Sequence, residues 1–177
     1  CTVMVQQIPQ NKKITYGRLV CDIRPNKTDT HRTRLTVGGD KLQYHGNVST
    51  PTADLSTVKI HINSTISTDH EKYTVIDIKN FYLGTPMNEY EYMSLPYSII
   101  PKPIATKYNL QQLNHNNRVY LQIQKGMYGL KQAGILAFEK LKKHLGTYGF
   151  QPIPHIPGIW THQTRPISFV LVVDDFG

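Results

Sequence analysis

The sequence predicts an α+β fold in which a small antiparallel sheet packs on helices, and three features predict it. Val119, Leu121 and Ile123 alternate with Tyr120 and Gln122, the two-residue period of a strand over Arg118 to Gln124. Leu130 to Tyr148 places Gly134, Ala137, Phe138, Leu141, Leu145 and Tyr148 on one stripe, with Glu139, Lys140, Lys142 and Lys143 facing away, as in an amphipathic helix. Ser168 to Val173 is an apolar run that ends in Asp174-Asp175.

The other elements follow in chain order. Residues 14 to 37 hold short apolar groups split by the polar patch Arg24 to Thr30, which predicts a hairpin-like pair of strands, and Gly38-Gly39-Asp40 marks a turn. Leu55, Val58, Ile62 and Ile66 recur at helical steps, with Thr52 or Ser56 as candidate cap, although Val58 to Ile62 also alternates like a strand. Tyr73 to Lys79 is β-branched and aromatic, which predicts a buried strand with Asp77 near its end. Tyr90 to Leu95 is a weaker strand inside Pro86 to Pro96. Ser98 to Asn117, rich in Pro and Asn, predicts a long connection with little regular structure. Gly149 suits the end of the long helix, and Pro152 to Pro157 is a proline-rich link.

The bulk composition narrows the function classes. With 177 residues and 39% hydrophobic content, the chain can form one compact domain or two small lobes. Cys1 and Cys21 are its only cysteines, too few for a disulfide framework or a cysteine zinc site, and a reducing compartment fits best. A formal charge of +8 favours a polyanionic partner such as nucleic acid, although a solvated basic surface would give the same count. There is no signal-type stretch, and no run nears the roughly 18 apolar residues of a membrane span. The sequons at Asn26, Asn47 and Asn63 carry meaning only in a secreted chain. The chain lacks an initiator Met and stops directly after an apolar run, so it reads as a piece cut at both ends. A serine elbow, a Walker-type phosphate loop, a Cys-x-x-Cys and a His-x-x-x-His pair are all missing from the sequence.

The acidic residues carry the chemistry. Two apolar runs each deliver aspartate at one end, Val75-Ile76-Asp77-Ile78 and Leu171-Val172-Val173-Asp174-Asp175. A carboxylate in a buried run needs a partner, and converging carboxylates need a cation or a raised pKa. Magnesium fits, because it prefers oxygen ligands and keeps positions open for phosphate and water. Neighbouring strands lie roughly 4.8 Å apart, which suits carboxylates bridging two metals roughly 3.5–4 Å from each other. Consecutive strand residues point to opposite faces, so Asp174 and Asp175 can both approach one metal only at a hairpin tip, with Phe176-Gly177 expected to begin the turn. An ordinary polar turn after a core strand would carry the same residues.

Four blocks in order then point to a family. Arg32-Thr33-Arg34-Leu35-Thr36-Val37-Gly38-Gly39 resembles the KARLVAKG block of copia-type retrotransposon polymerases. Asp77-Ile78-Lys79-Asn80-Phe81-Tyr82-Leu83-Gly84, continuing to Glu91-Tyr92-Met93, resembles their DVKTAFLNG and VYM blocks. Met127 to Ala133 is close to LYGLKQA, and Leu171 to Asp175 resembles LLYVDD. Over roughly residues 30 to 177 the chain is thus similar to the reverse transcriptase of copia-type LTR retrotransposons.

That resemblance implies a reverse-transcriptase-like palm with a fingers lobe, truncated before the thumb. The fingers would comprise residues 1–70 and 96–132. The palm would comprise 71–95, with the first catalytic aspartate, and 133–177, with the helix and the Asp-Asp strand. It implies RNA-directed DNA polymerase activity, with Asp77 and Asp174 ligating both magnesium ions, Asp175 as third carboxylate, and manganese as substitute metal. Tyr82 matches the aromatic wall against a sugar 2′-hydroxyl, Gln132 the glutamine that positions the nucleotide, Arg34 a triphosphate contact and Lys131 a nucleic-acid backbone contact. Ordinary core packing for Tyr82 and a solvated strand face for Arg34 are the alternatives. The implied partners are an RNA or DNA template with primer, deoxynucleoside triphosphates and other parts of a retrotransposon polyprotein, with no membrane. The implied location is intracellular, in a cytoplasmic virus-like particle or the nucleus.

This sequence departs from the family where Val172 replaces the usual Tyr and where Gly134-Ile135-Leu136 replaces PRAW. Primer grip, thumb and ribonuclease H would lie beyond Gly177. The rival readings are a non-catalytic basic nucleic-acid-binding fragment, another magnesium enzyme, and a decayed element without activity.

Overall fold

A computed structural model describes residues 2–173, 175 and 176. In chain order its elements are β1 (Thr2–Val3), β2 (Ile14–Ile23), β3 (His31–Val37), α1 (Leu55–Ile66), β4 (Ile76–Asp77), β5 (Pro86–Pro96), α2 (Lys102–Lys107), β6 (Arg118–Lys125), α3 (Ala133–Thr147), β7 (Phe150–Pro152), β8 (Ile159–His162), β9 (Ser168–Val172) and β10 (Asp175–Phe176). The fold is α+β, with two five-stranded sheets where one small sheet was expected. The chain divides into two compact units, one of residues 1–46 and 86–133, the other of residues 47–85 and 134–177.

The first unit is built on a sheet of order β1-β6-β5-β2-β3. The β2–β3 hairpin is antiparallel from Gly17↔Val37 to Ile23↔His31, as the apolar groups on either side of Arg24 to Thr30 predict. β2 also runs parallel to β5, with Thr15 opposite Met93, so this sheet is mixed. Consecutive residues Glu91 to Leu95 are all buried, which marks β5 as a central strand covered on both faces. The Pro- and Asn-rich connection is more structured than expected. It contains α2, and Ala105 and Leu110 bury against Val119 of β6, so apolar residues spaced along a polar segment still supply a small core.

The sheet of the second unit has order β4-β10-β9-β8-β7, with antiparallel pairing throughout. Its core joins Ala137, Phe138 and Leu141 of α3 to Phe81, Trp160 and Leu171. Burying each of the large members contributes about 1.5–3 kcal/mol. The stripe read for α3 is therefore the buried face, except that Tyr148 is exposed. Gly149, at φ +83°, follows the helix in the left-handed conformation that its lack of a Cβ permits.

Several local expectations need correction. The predicted buried strand Tyr73 to Lys79 reduces to Ile76–Asp77 at the sheet edge, and Val75 and Ile76 remain 65% and 58% exposed. It pairs with β10 through Asp77↔Asp175 and Ile76↔Phe176. The cap of α1 is Asp54, whose Oδ1 accepts the Thr57 amide at 2.7 Å, and neither Thr52 nor Ser56 fills that role. The strands β7 and β8 flank the proline-rich link and were not anticipated.

Candidate active site

The candidate carboxylates sit where β9, β10 and β4 lie side by side. β9 is apolar because it is central in its sheet, with Val170 and Leu171 buried. The Leu171 amide donates to the Gly158 carbonyl at 2.7 Å, and the Ala53 amide donates to the Leu171 carbonyl at 2.9 Å. Gly158 has φ +81°, and a Cβ there would overlap the backbone of Ala53, so the glycine is required by close approach. His61 of α1 reaches Ser168 at the start of β9, Nε2 to Oγ 3.1 Å. Phe169 stacks on Trp160, with ring centroids 5.8 Å apart.

Asp175 pairs with Val172 and Phe176 with Leu171, so Phe176 already belongs to the return strand. That corrects the expectation that Phe176 begins the turn. Val173 takes φ +62°, which a β-branched residue adopts only under constraint.

Asp175 also stands directly opposite Asp77 in the antiparallel pairing of β10 with β4. Directly opposed residues share a face, with Cβ atoms about 4.5–5.5 Å apart. Phe176 points the other way and packs against Phe169, centroids 5.0 Å apart, which leaves both carboxylates on the face away from the core. Both are exposed. At about 4 Å in bulk water two like charges repel by about 1 kcal/mol. The site is therefore mildly frustrated and open, where the sequence pattern alone suggested buried charges. Asp174 lies outside the described residues.

Asp77 leads into a turn over Asn80 to Thr85. Asn80 has φ +58°, the Gly84 amide donates to the Asn80 carbonyl at 3.0 Å, and the Thr85 amide donates to the Tyr82 carbonyl at 2.9 Å. Thr85 is buried, and its hydroxyl donates to the Phe81 carbonyl at 3.2 Å. Tyr82 is half-buried, tilted against Phe81 at 5.6 Å between centroids, and packs on the α3 core. Lys140 of α3 donates from Nζ to the Gly84 carbonyl at 2.6 Å. Sequence reasoning missed this residue, because its position on the polar face of the helix signals solvent exposure and nothing more.

The remaining candidates belong to the first unit. Arg34 on β3 is half-buried, its guanidinium 4.7 Å from the centre of the Tyr128 ring, and its Nε is buried without a hydrogen-bond partner. Lys131 donates from Nζ to the Leu42 carbonyl at 3.0 Å, a link within the protein. Gln132 is 4% exposed. The glycines of the two motif blocks have a shared explanation. The Val37 amide donates to the Tyr128 carbonyl at 2.8 Å, Gly129 has φ +98°, and a Cβ on either Gly39 or Gly129 would collide with facing backbone. Residues 32–39 and 127–133 thus touch backbone to backbone. Asp77, Tyr82 and Asp175 come from the second unit, and Arg34, Lys131 and Gln132 from the first.

Among the described residues no group of three or more His, Cys, Asp or Glu side chains is placed to hold a metal ion, and no helix is long and apolar enough to cross a membrane. A family model described as reverse transcriptase (RNA-dependent DNA polymerase) matches residues 2–176. No curated protein and no solved structure gives a significant match.

Proposed function

The chain belongs to the reverse transcriptase family, in the branch typical of copia-type LTR retrotransposons, and we propose that it carries the polymerase site of such an enzyme, with the second unit as palm and the first as fingers. The observation that supports this most is the register that sets Asp77 opposite Asp175 on one exposed face. Hard oxygen donors arranged in this way fit magnesium or manganese, and Asp77 and Asp175 would hold the ions together with Asp174. Ions held there would supply positive charge for nucleotidyl transfer onto a primer 3′-hydroxyl with pyrophosphate leaving.

The chain's own residues bind and orient. Tyr82, fixed by its packing on Phe81 and the α3 core, stands as a wall against a 2′-hydroxyl. Arg34 offers a planar donor fork for phosphate, and its unpartnered Nε is the kind of group that an anion satisfies. Gln132 positions the nucleotide by the family analogy. Lys131, whose ammonium bonds the Leu42 carbonyl, holds the motif loop and keeps two further N–H donors for nucleic acid backbone. The partners are a primed RNA or DNA template and deoxynucleoside triphosphates, with other segments of a retrotransposon polyprotein as neighbours, in a cytoplasmic particle or the nucleus.

Asp77→Asn is the direct test. It should abolish magnesium-dependent primer extension while leaving template binding nearly intact, and retained extension would remove Asp77 from the chemistry. The charge of +8 also favours a second reading, a basic fragment that binds nucleic acid without catalysis. That reading predicts salt-sensitive binding and no extension even with Asp77 in place.

A further inference from the structure

Lys140 holds the Gly84 carbonyl at 2.6 Å, a short charge-assisted bond from a helix to the turn that carries Tyr82. We propose that Lys140 is a positioning residue for sugar discrimination, acting through that turn. The proposal rests on the reading of Tyr82 as the wall against a 2′-hydroxyl.

The turn is closed internally by the amides of Gly84 and Thr85 and by the buried Thr85 hydroxyl. Those bonds fix its shape, and Phe81, buried with Ala137, Phe138 and Leu141, seats its first half on α3, whereas its far end at Gly84 has no such anchor among the core residues. Lys140 adds a link from that end to α3, whose neighbouring positions Ala137 and Leu141 are buried in the core. An exposed lysine ordinarily keeps its side-chain freedom. Here that freedom is given up for one carbonyl, and the carbonyl lies two residues from Tyr82. A steric wall discriminates by position alone, and a displacement of about 1 Å changes rates by about a hundredfold. Loosening the turn should therefore admit ribonucleotides before it harms deoxynucleotide use.

Two measurements test this. In primer extension, Lys140→Met should raise the ratio of kcat/KM for ribonucleotides over deoxynucleotides roughly 3- to 10-fold, the range expected for one exposed hydrogen bond, with deoxynucleotide kcat unchanged. Lys140→Arg, which keeps a donor, should restore the ratio. In hydrogen exchange, Lys140→Met should speed exchange of the Gly84 and Thr85 amides, and unchanged exchange there would overturn the clamp whether or not the preparation is active. Tyr82→Ala separates the two ideas. If it relaxes sugar preference and Lys140→Met does not, the positioning role alone falls; if Tyr82→Ala leaves the preference unchanged, the wall itself falls and this role with it. Equal loss on both sugars with an unaltered ratio would make Lys140 a stabilising residue and overturn the proposal.

Discussion

Opposed aspartates on adjacent strands are destabilising unless something binds between them, and the exposure of Asp77 and Asp175 lets solvent screen that repulsion. Glu91 is a different case. It is buried on β5, and burial pushes its carboxyl above the usual range, while Lys12, 3.8 Å away, pulls it down. A raised folded-state pKa means that the folded protein holds this proton more tightly than the unfolded chain does. Stability from this group is then greatest below the ordinary glutamate range, about pH 4.3, and declines as pH rises toward the raised folded value. Glu91→Gln should remove that decline. Thermal unfolding followed from pH 4 to 7 would register it as a flatter profile than that of the unaltered protein, and parallel profiles would contradict it.

At the scale of elements, glycines and turns decide how the motif segments meet. Gly129→Ala should destabilise the first unit by about 2–5 kcal/mol, combining left-handed strain with overlap on the Val37 carbonyl. Denaturant unfolding measures this directly, and a loss under 1 kcal/mol would refute the close approach. In the β9–β10 turn the sign reverses. Val173 is the strained residue, so Val173→Gly should stabilise by about 0.5–1 kcal/mol once the entropy of glycine is subtracted. Elements with strong periodicity were legible: α3, the β2–β3 hairpin and β6 follow from the apolar pattern. The Tyr73 to Lys79 run misled because hydrophobicity marks what a segment would bury, not whether a partner covers it. α2 was hidden by its Pro and Asn surroundings, and Asp54 was passed over as a cap although aspartate is among the best caps.

For the molecule as a whole, the α+β class could be read from sequence, whereas the division into two units and the strand order could not. Register is the hidden variable, since a slip of one residue turns every side chain to the opposite face. The sequence nominates the acidic runs at Asp77 and at Asp174-Asp175, with Asp77 and Asp174 as the main pair, but only the pairing of β4 with β10 puts Asp175 opposite Asp77. The role of Lys140 left no sequence signal, because a carbonyl 56 positions away is invisible to periodicity. The most direct test of the shared acidic face is paramagnetic broadening of backbone NMR signals by manganese. Titrated ion should bleach the amides of residues 76–78 and 175–176 together, and Asp77→Asn should weaken the effect on both strands at once. Broadening confined to one strand, or unchanged by the substitution, would contradict a cation site held jointly by Asp77 and Asp175.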